Sequence, residues 1–375
     1  MGLINIRLGD YIERSTINNK ELKYGVDLIV GVNSQGVFTA PKGNTDGVDL
    51  KPYKIVENGA FVYNPTRLEL GSIAYRTEGL CIVSHLYMVF YLTDEGKKII
   101  DPMWLYIYFR RSEFCREVKF RNFGSQRPEF NFNDMSDIVI PLPDIEIQKK
   151  YVDIYNAMLE NQKSYEYRLE DLKLACDAYI EDLKHGIHCK AIGPYVERHD
   201  VRNRTNEIKN VMGVSTSKEF REPTSKVNRN ELSNYKIVRP RQISFVQTTH
   251  NEKVFAYAFN NTEDDIVVTS VNEVFSVDED KLLPEYLCMF FNRTEFDRYA
   301  RFHSWGSARE TFTWDDLVKV EIPIADMKTQ KSIAGIYKAY KERKAINEKL
   351  KEQIKDICPI LIKGSIEEAR KAKEA

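Results

Sequence analysis

The chain has 375 residues, 42% of them hydrophobic and 30% charged, with a formal net charge of −1. That length buries ordinary globular cores and suggests two or three domains. There is no apolar run of roughly 18 or more residues, and Met1-Gly2-Leu3-Ile4-Asn5 lacks the basic start and apolar stretch of a signal peptide, so neither a membrane span nor a leader is expected, and a soluble cytoplasmic protein is.

Residues 1–143 alternate β-branched and aromatic runs, such as Leu28-Ile29-Val30-Gly31-Val32, Gly59-Ala60-Phe61-Val62-Tyr63 and Cys81-Ile82-Val83-Ser84, with clusters of Gly, Pro and Asn. These predict strands joined by turns. The stretch from Pro102 to Phe114 predicts a helix, with proline in its first turn and Leu105, Tyr108 and Phe109 on one face. Ile138-Val139-Ile140-Pro141-Leu142-Pro143 predicts a short strand stopped by proline, and Asp144 an N-cap. A helix then runs to about Lys184, carrying Tyr151, Ile154, Met158, Tyr165, Leu172 and Tyr179 as an apolar stripe.

From there the pattern repeats, 182 residues further on. Tyr53-Lys54-Ile55-Val56 returns as Tyr235-Lys236-Ile237-Val238, and Gly31, Phe38, Pro41, Pro102, Phe109, Arg111, Glu113, Phe114, Phe130, Asp134, Pro141 and Gln148 recur at the same offset. Asp326 repeats the cap, and Ile333, Ile336, Tyr340, Leu350, Ile354, Ile357 and Leu361 give a second helix a stripe of coiled-coil steps. At about 1.5 Å per residue each helix would reach about 60 Å, and its stripe requires a partner, for which the other helix is the nearest candidate. Asn161 and Arg343 fall on the two stripes at matching positions, where a polar residue either fixes register or marks a solvated break. Pro359 is expected to kink the second helix, and the polar tail after Gly364 to fray. The chain therefore divides into 1–143, a helix over 144–185, a second α+β domain over 186–325, and 326–375 with the second helix and tail.

Charge is local. Residues 110–127 carry six Lys/Arg against two acids, 218–241 seven against three, and 144–184 ten acids against six bases. The basic runs are either a nucleic-acid footprint or surface solvation. Six scattered cysteines without a C-x-x-C pair support neither a zinc ribbon nor a disulfide framework. His185, His188 and Cys189 lack a partner cluster and a counterpart in the other copy, and read as linker rather than metal site. Asn64-Pro65-Thr66-Arg67 shares its first two residues with the Asn-Pro-Pro-aromatic tetrapeptide of amino-methyltransferases, but lacks the second proline and the stacking ring, and a β-turn is expected. Pro143-Asp144-Ile145-Glu146 to Lys149 has a nuclease's residue types without a metal cage's spacing. With no phosphate-cradling loop and no nucleophile-base pair, neither an enzyme nor a cofactor is expected.

The ordered arrangement resembles the specificity subunits of type I restriction-modification systems. Carrying the resemblance are Leu8-Gly9-Asp10-Tyr11, Gly124-Ser125-Gln126-Arg127, Ile140-Pro141-Leu142-Pro143-Asp144-Ile145-Glu146-Ile147-Gln148, and the echoes Gly306-Ser307-Ala308-Arg309 and Ile322-Pro323 to Gln330. Ile147 and Thr329 stand where the family's Pro-Leu-x-Glu-Gln box has glutamate, and Ala325 replaces the second proline. The resemblance implies two pseudo-symmetric target-recognition domains separated by a two-helix antiparallel coiled coil. It further implies double-stranded DNA as ligand, two methyltransferase (modification) subunits as partners, and a motor-nuclease (restriction) subunit joining for cleavage. The rival readings are a self-contained DNA-modifying enzyme with degenerate motifs and a coiled-coil adaptor that never touches DNA.

Two unlike readers related by approximate two-fold symmetry would take a bipartite, asymmetric target, with half-sites roughly 34 Å apart centre to centre. Positions identical in both copies cannot tell the half-sites apart, so they serve scaffold, phosphate or partner contacts. Arg121, Arg127, Arg301 and Arg309 are the phosphate candidates, local salt bridges being the alternative. Base readers are sought where the copies diverge. One such loop is Thr66 to Ser72 with Arg67 and, beyond it, Arg76, opposite Thr248 to Val254 with His250, Asn251 and Lys253, each leading into an Ala-Tyr pair, Ala74-Tyr75 and Ala256-Tyr257. Another is Asn33 to Gly36 with Gln35, Lys42 and Asn44, opposite Ser215 to Lys218 with Lys218, Arg221 and Lys226. These residue types can hydrogen-bond groove edges, although divergence also marks neutral surface loops.

Overall fold

A computed structural model describes residues 2–41, 43–122, 129–248, 254–304 and 310–374. The first copy runs through strands β1 (Ile4–Arg7), β2 (Ile12–Arg14), β3 (Gly31–Val32), β4 (Phe38–Thr39), β5 (Lys54–Val56), β6 (Phe61–Tyr63), β7 (Ile73–Tyr75), β8 (Cys81–Val83) and β9 (Met88–Leu92). Helices α1 (Asp94–Ile99), α2 (Pro102–Phe109), α3 (Ser112–Arg121) and α4 (Phe132–Ser136) follow, then β10 (Val139–Leu142) and the long helix α5 (Ile145–Gly186). The second copy comprises β11 (Cys189–Ala191), β12 (Val196–His199), β13 (Gly213–Val214), β14 (Phe220–Arg221), β15 (Lys236–Val238), β16 (Ile243–Val246), β17 (Tyr257–Phe259), β18 (Ile266–Val268) and β19 (Asn272–Val277). It ends with α6 (Pro284–Phe291), α7 (Thr294–Phe302), α8 (Trp314–Leu317), β20 (Glu321–Pro323) and α9 (Met327–Glu374).

Both copies build the same sheets among the described residues. An antiparallel sheet ordered β2-β9-β6-β7 and the pairs β1-β10, β3-β4 and β5-β8 answer to β12-β19-β16-β17, β11-β20, β13-β14 and β15-β18. The pairings also show that the offset slips and recovers. Asn5 faces Pro141 and Cys189 faces Pro323, an offset of 184 at the first strand. Gly31 and Gly213 open the two small hairpins at 182. Val62 faces Ala74 while Ser244 faces Ala258, so Ala74-Tyr75 corresponds to Ala258-Phe259 and not to Ala256-Tyr257. Phe61 faces Phe90 and Ile243 faces Phe275, an offset of 185, and the copies regain 182 at α2 and α6 because α1 has no counterpart.

The chain forms two compact units, residues 1–164 with 347–375 and residues 165–346. In the first, Trp104, Phe61, Phe90, Phe109 and Phe114 centre a core that Val152 and Tyr155 of α5 and Ile354, Cys358, Leu361 and Ile362 of α9 complete. In the second, Phe245, Phe255, Phe275, Tyr286 and Phe291 pack with Cys176 and Ile180 of α5 and Ile333 of α9. Within the first unit the two helices run antiparallel. Lys150 pairs with Glu368 at 2.8 Å, the Tyr151 hydroxyl donates to Glu368 at 3.1 Å, and Gln162 donates to Asn347 at 2.9 Å.

Three helix expectations change. The seam follows Val152, Tyr155, Gln162, Cys176 and Ile180, leaving Ile154, Asn161 and Tyr179 exposed, because one residue along a helix turns the side chain by about 100°. The buried polar pair is therefore Gln162 with Asn347, and Arg343 instead lies over the Tyr165 ring, 5.0 Å from its centre. Nor does the chain after Gly364 fray, since α9 continues to Glu374 with Pro359 inside it, and the Ser365 hydroxyl receives the buried Trp104 indole at 3.1 Å.

The glutamine shared by both copies is a structural clamp. Fully buried Gln148 accepts from the Asp101 amide at 2.8 Å and donates to the carbonyls of Ile99 at 2.8 Å and Pro143 at 2.7 Å. Fully buried Gln330 accepts from Leu283 at 2.9 Å and donates to Lys281 and Ala325, both at 2.8 Å. One side chain thus fixes the end of a strand, the first turn of a long helix and the start of the preceding helix, whose free backbone groups need partners. The capping boxes repeat as well, Asn131 with Asp134 before α4 and Thr313 with Asp316 before α8.

Candidate nucleic-acid interface

In the first unit the two divergent segments meet. The β3-β4 turn and the β6-β7 connection are drawn together by Arg110, which caps α2 and donates to the Gly71 carbonyl at 2.5 Å and the Ser34 carbonyl at 3.3 Å. The Tyr106 hydroxyl donates to Gly36 at 3.2 Å and the Ser72 hydroxyl to Val32 at 2.9 Å. Gly36 and Gly71 have φ of +75° and +87° and lie so close to Arg110 that a Cβ would come within 2.7 and 3.0 Å of its Nη1. Asn64 accepts from the Thr66 amide and hydroxyl at 3.1 and 2.9 Å, closing the β-turn expected of Asn64 to Arg67.

The second unit solves the same problem with the cation on the loop instead of the helix. Lys218 stands where the first copy has Gly36, at φ 64°, and its ammonium reaches the Phe291 carbonyl at 2.7 Å and Asp297 of α7 at 2.8 Å. Asp297 also receives the Phe255 amide at 3.0 Å, joining the β13-β14 turn to the segment entering β17. One copy sends a helix arginine to loop carbonyls, and the other a loop lysine to a helix carboxylate. Asn292 occupies the position of Arg110, and Cys115 that of Asp297.

The candidate residues separate accordingly. Gln35, Asn44, Arg67, Arg221 and Lys226 are exposed on or beside these segments, with Asn44 using its carbonyl to accept from the Asp46 amide at 3.0 Å. Lys218 is instead a buried strut whose ammonium is consumed by Asp297, and its desolvation holds its pKa below the ordinary lysine value. Arg76 is likewise folded inward, its guanidinium 5.3 Å from the Phe38 ring centre and 3.4 Å from the Leu80 carbonyl. Arg121 is held by Glu117 at 2.8 and 3.1 Å, and Arg301 lies 3.9 Å from Glu310. Arg127, Arg309, Lys42, His250, Asn251 and Lys253 lie outside the described residues.

Sequence reasoning missed Arg110 and Asp297 as organisers of the loops, and nothing in their spacing marks them. It also missed an echo at offset 184, where Gly9, Tyr11, Glu13 and Arg14 return as Gly193, Tyr195, Glu197 and Arg198. Arg198 grips the buried Glu273 through two bonds of 2.7 and 2.8 Å, and Lys236, also buried, lies 3.6 Å from Glu273 and 3.5 Å from Asp200. Gln247, at the entry to the divergent loop, donates to the same carboxylate. In the first copy Met88 takes the place of Glu273, and Lys54 donates to the Tyr87 carbonyl at 2.5 Å. Among the described residues there is no group of three or more His, Cys, Asp or Glu that could hold a metal ion, and no helix long and apolar enough to cross a membrane.

Two copies of one α+β scaffold, each presenting its own pair of tethered loops, define a doubled recognition protein. The model of the type I restriction modification DNA specificity domain matches residues 3–170 and again 194–356, and the chain belongs to that family, whose work is DNA target recognition. No curated protein matches. Among solved structures, the S subunit of a type I restriction-modification system from M. genitalium is similar at a TM-score of 0.63 and 10% identity, over 97% of this chain and 96% of that one. The HsdS subunit from Thermoanaerobacter tengcongensis is similar at 0.40 and 15% identity over 97% and 96%, and a type I R-M structure concerned with complex assembly and conformational transition at 0.46 and 15% over 97% of each chain.

Proposed function

We propose that the chain is a non-catalytic cytoplasmic subunit that reads a bipartite, asymmetric DNA target, one half-site per unit, and docks two methyltransferase subunits, with a motor-nuclease subunit joining for cleavage. The observation that carries this reading is the retention of the glutamine clamp, capping box and sheet order in both units while the cation of the loop tether moves from helix to loop. A shared scaffold with unlike loops suits two readers of different sequence. Gln35, Lys42, Asn44 and Arg67 are the proposed base readers of the first unit, and Arg221, Lys226, His250, Asn251 and Lys253 of the second. Arg127 and Arg309 remain the proposed phosphate contacts, joined by Arg121 and Arg301.

Expressed with the methyltransferase of its own system and examined by methylation profiling, the chain directs methylation to two short sequences at fixed spacing. Arg67→Ala relaxes one half-site and Arg221→Ala the other. Methylation that ignores a split target refutes the proposal.

A further inference from the structure

Helix α3 and its counterpart α7 each expose one large aromatic side chain. Phe120 and Phe302 are 82% and 81% solvent-exposed, and they occupy equivalent positions of the repeat. A single exposed apolar residue is ordinary. Here both copies leave a phenylalanine in water on otherwise amphipathic helices, forgoing roughly 1.5–3 kcal/mol each relative to burial. Phe114 and Val118 face the first core, and Phe296 and Ala300 the second, so neither helix needs its exposed ring for packing.

The surroundings of the two rings are repeated as well. Arg116, Lys119 and Phe120 lie three and four residues apart on one face of α3, and Arg298, Arg301 and Phe302 repeat that face on α7. Arg116 is 3.6 Å from Glu113, and Arg298 is 3.6 Å from Glu295, both well exposed, so each cation is only loosely held. The remaining acids nearby are engaged, Glu117 by Arg121 and Asp297 by Lys218, and the half-exposed Glu310 lies 3.9 Å from Arg301, as loosely as the other pairs. An apolar protein surface covering either ring would have to desolvate the cations beside it, whereas a duplex offers phosphates to the cations and a base step or sugar face to the ring.

We infer that Phe120 and Phe302 are paired aromatic contacts to DNA, each set beside Arg116 and Lys119 or Arg298 and Arg301, which bind the backbone, and that these matching faces grip any sequence while the divergent loops choose one. This rests on the DNA-reading function proposed above. Because the grip is independent of sequence, a fluorescent duplex of mixed sequence is sufficient as the probe, titrated with the full chain at several salt concentrations. Phe120→Ala and Phe302→Ala each weaken binding about tenfold and together about 100-fold, with the salt slope unchanged, while Lys119→Ala and Arg301→Ala each lower the slope by about one. Phe120→Trp with Phe302→Trp restores binding, which a purely structural defect does not.

Equal affinity of the double alanine variant and the wild type overturns the inference and leaves the function standing. Loss of methyltransferase co-purification with duplex affinity intact also overturns it, and makes the two faces protein docking sites. A wild-type chain that retains no duplex at low salt refutes the DNA-reading function itself, and the inference with it.

Discussion

Truncating the buried glutamine tests whether one side chain holds the junction of strand and long helix. Gln148→Ala strands the Asp101 amide and removes a donor from the carbonyls of Ile99 and Pro143. A buried polar group left unpaired costs about 1–3 kcal/mol, and under-satisfied carbonyls, which are better tolerated than orphaned amides, fall at the low end, so the loss is about 3–5 kcal/mol. Against a domain stability of about 5–15 kcal/mol this is a large fraction. Hydrogen exchange resolved by residue under a urea series is the suitable assay, because a chain with two compact units need not unfold in one step. Protection of the Asp101 amide should collapse in Gln148→Ala while that of Leu283 persists, and Gln330→Ala should reverse the pattern with a cost of similar size. Gln148→Glu adds a pH dependence. Its carboxylate would face two carbonyl oxygens, which raises its folded pKa, so the variant keeps its stability below the unfolded value near about 4.3 and loses it as pH rises through the folded value. A loss below about 1 kcal/mol, or a Gln148→Glu protein indifferent to pH, would refute the clamp.

Other perturbations follow from the loop tethers and the buried polar groups. Gly36→Ala forces a Cβ to within 2.7 Å of Arg110 Nη1 and of the Ile73 carbonyl at positive φ, and should cost about 1–3 kcal/mol in a thermal melt of the first unit. Gln162→Ala or Asn347→Ala alone should cost about 1–3 kcal/mol, and the Leu/Leu double variant should recover most of it; a double-mutant cycle in urea measures the coupling. Glu273→Ala leaves buried Lys236 with only the solvent-exposed Asp200 and should cost about 3 kcal/mol, whereas Glu273→Met with Lys236→Met should recover stability, as judged by the melting temperature.

The repeat was legible because α2, α6 and the long helices hold one offset, and helix phase tolerates no slip where a stripe is buried. It misled where loops changed length. Ala256-Tyr257 looked like the partner of Ala74-Tyr75, but the ladder against Ser244 selects Ala258, and the cognate of Leu8 to Tyr11 lay two residues beyond the offset followed. The seam failed by one position, Asn161 for Gln162, since apolar letters on neighbouring positions hide the stripe's rotation. In the site, residue type alone marked Lys218 and Arg76 as groove readers. Only the fold shows their charges turned inward, because Asp297 and Phe291, which claim the one, and Phe38, which with nearby Leu80 claims the other, come from other segments.

The division into residues 1–164 with 347–375 and residues 165–346 sets an order of events during synthesis. The second unit is one uninterrupted segment and has all its parts once residue 346 has left the ribosome. The first has its strands made before the second unit begins, yet its core lacks Ile354, Cys358, Leu361 and Ile362 until the segment after residue 346 emerges. The unit that is begun first is therefore finished last, its closing contacts reaching as far as the 261 residues between Trp104 and Ser365, which is the slow kind of closure. A nascent chain stalled short of residue 347 would present one completed module and one with an open apolar face, a natural substrate for chaperones.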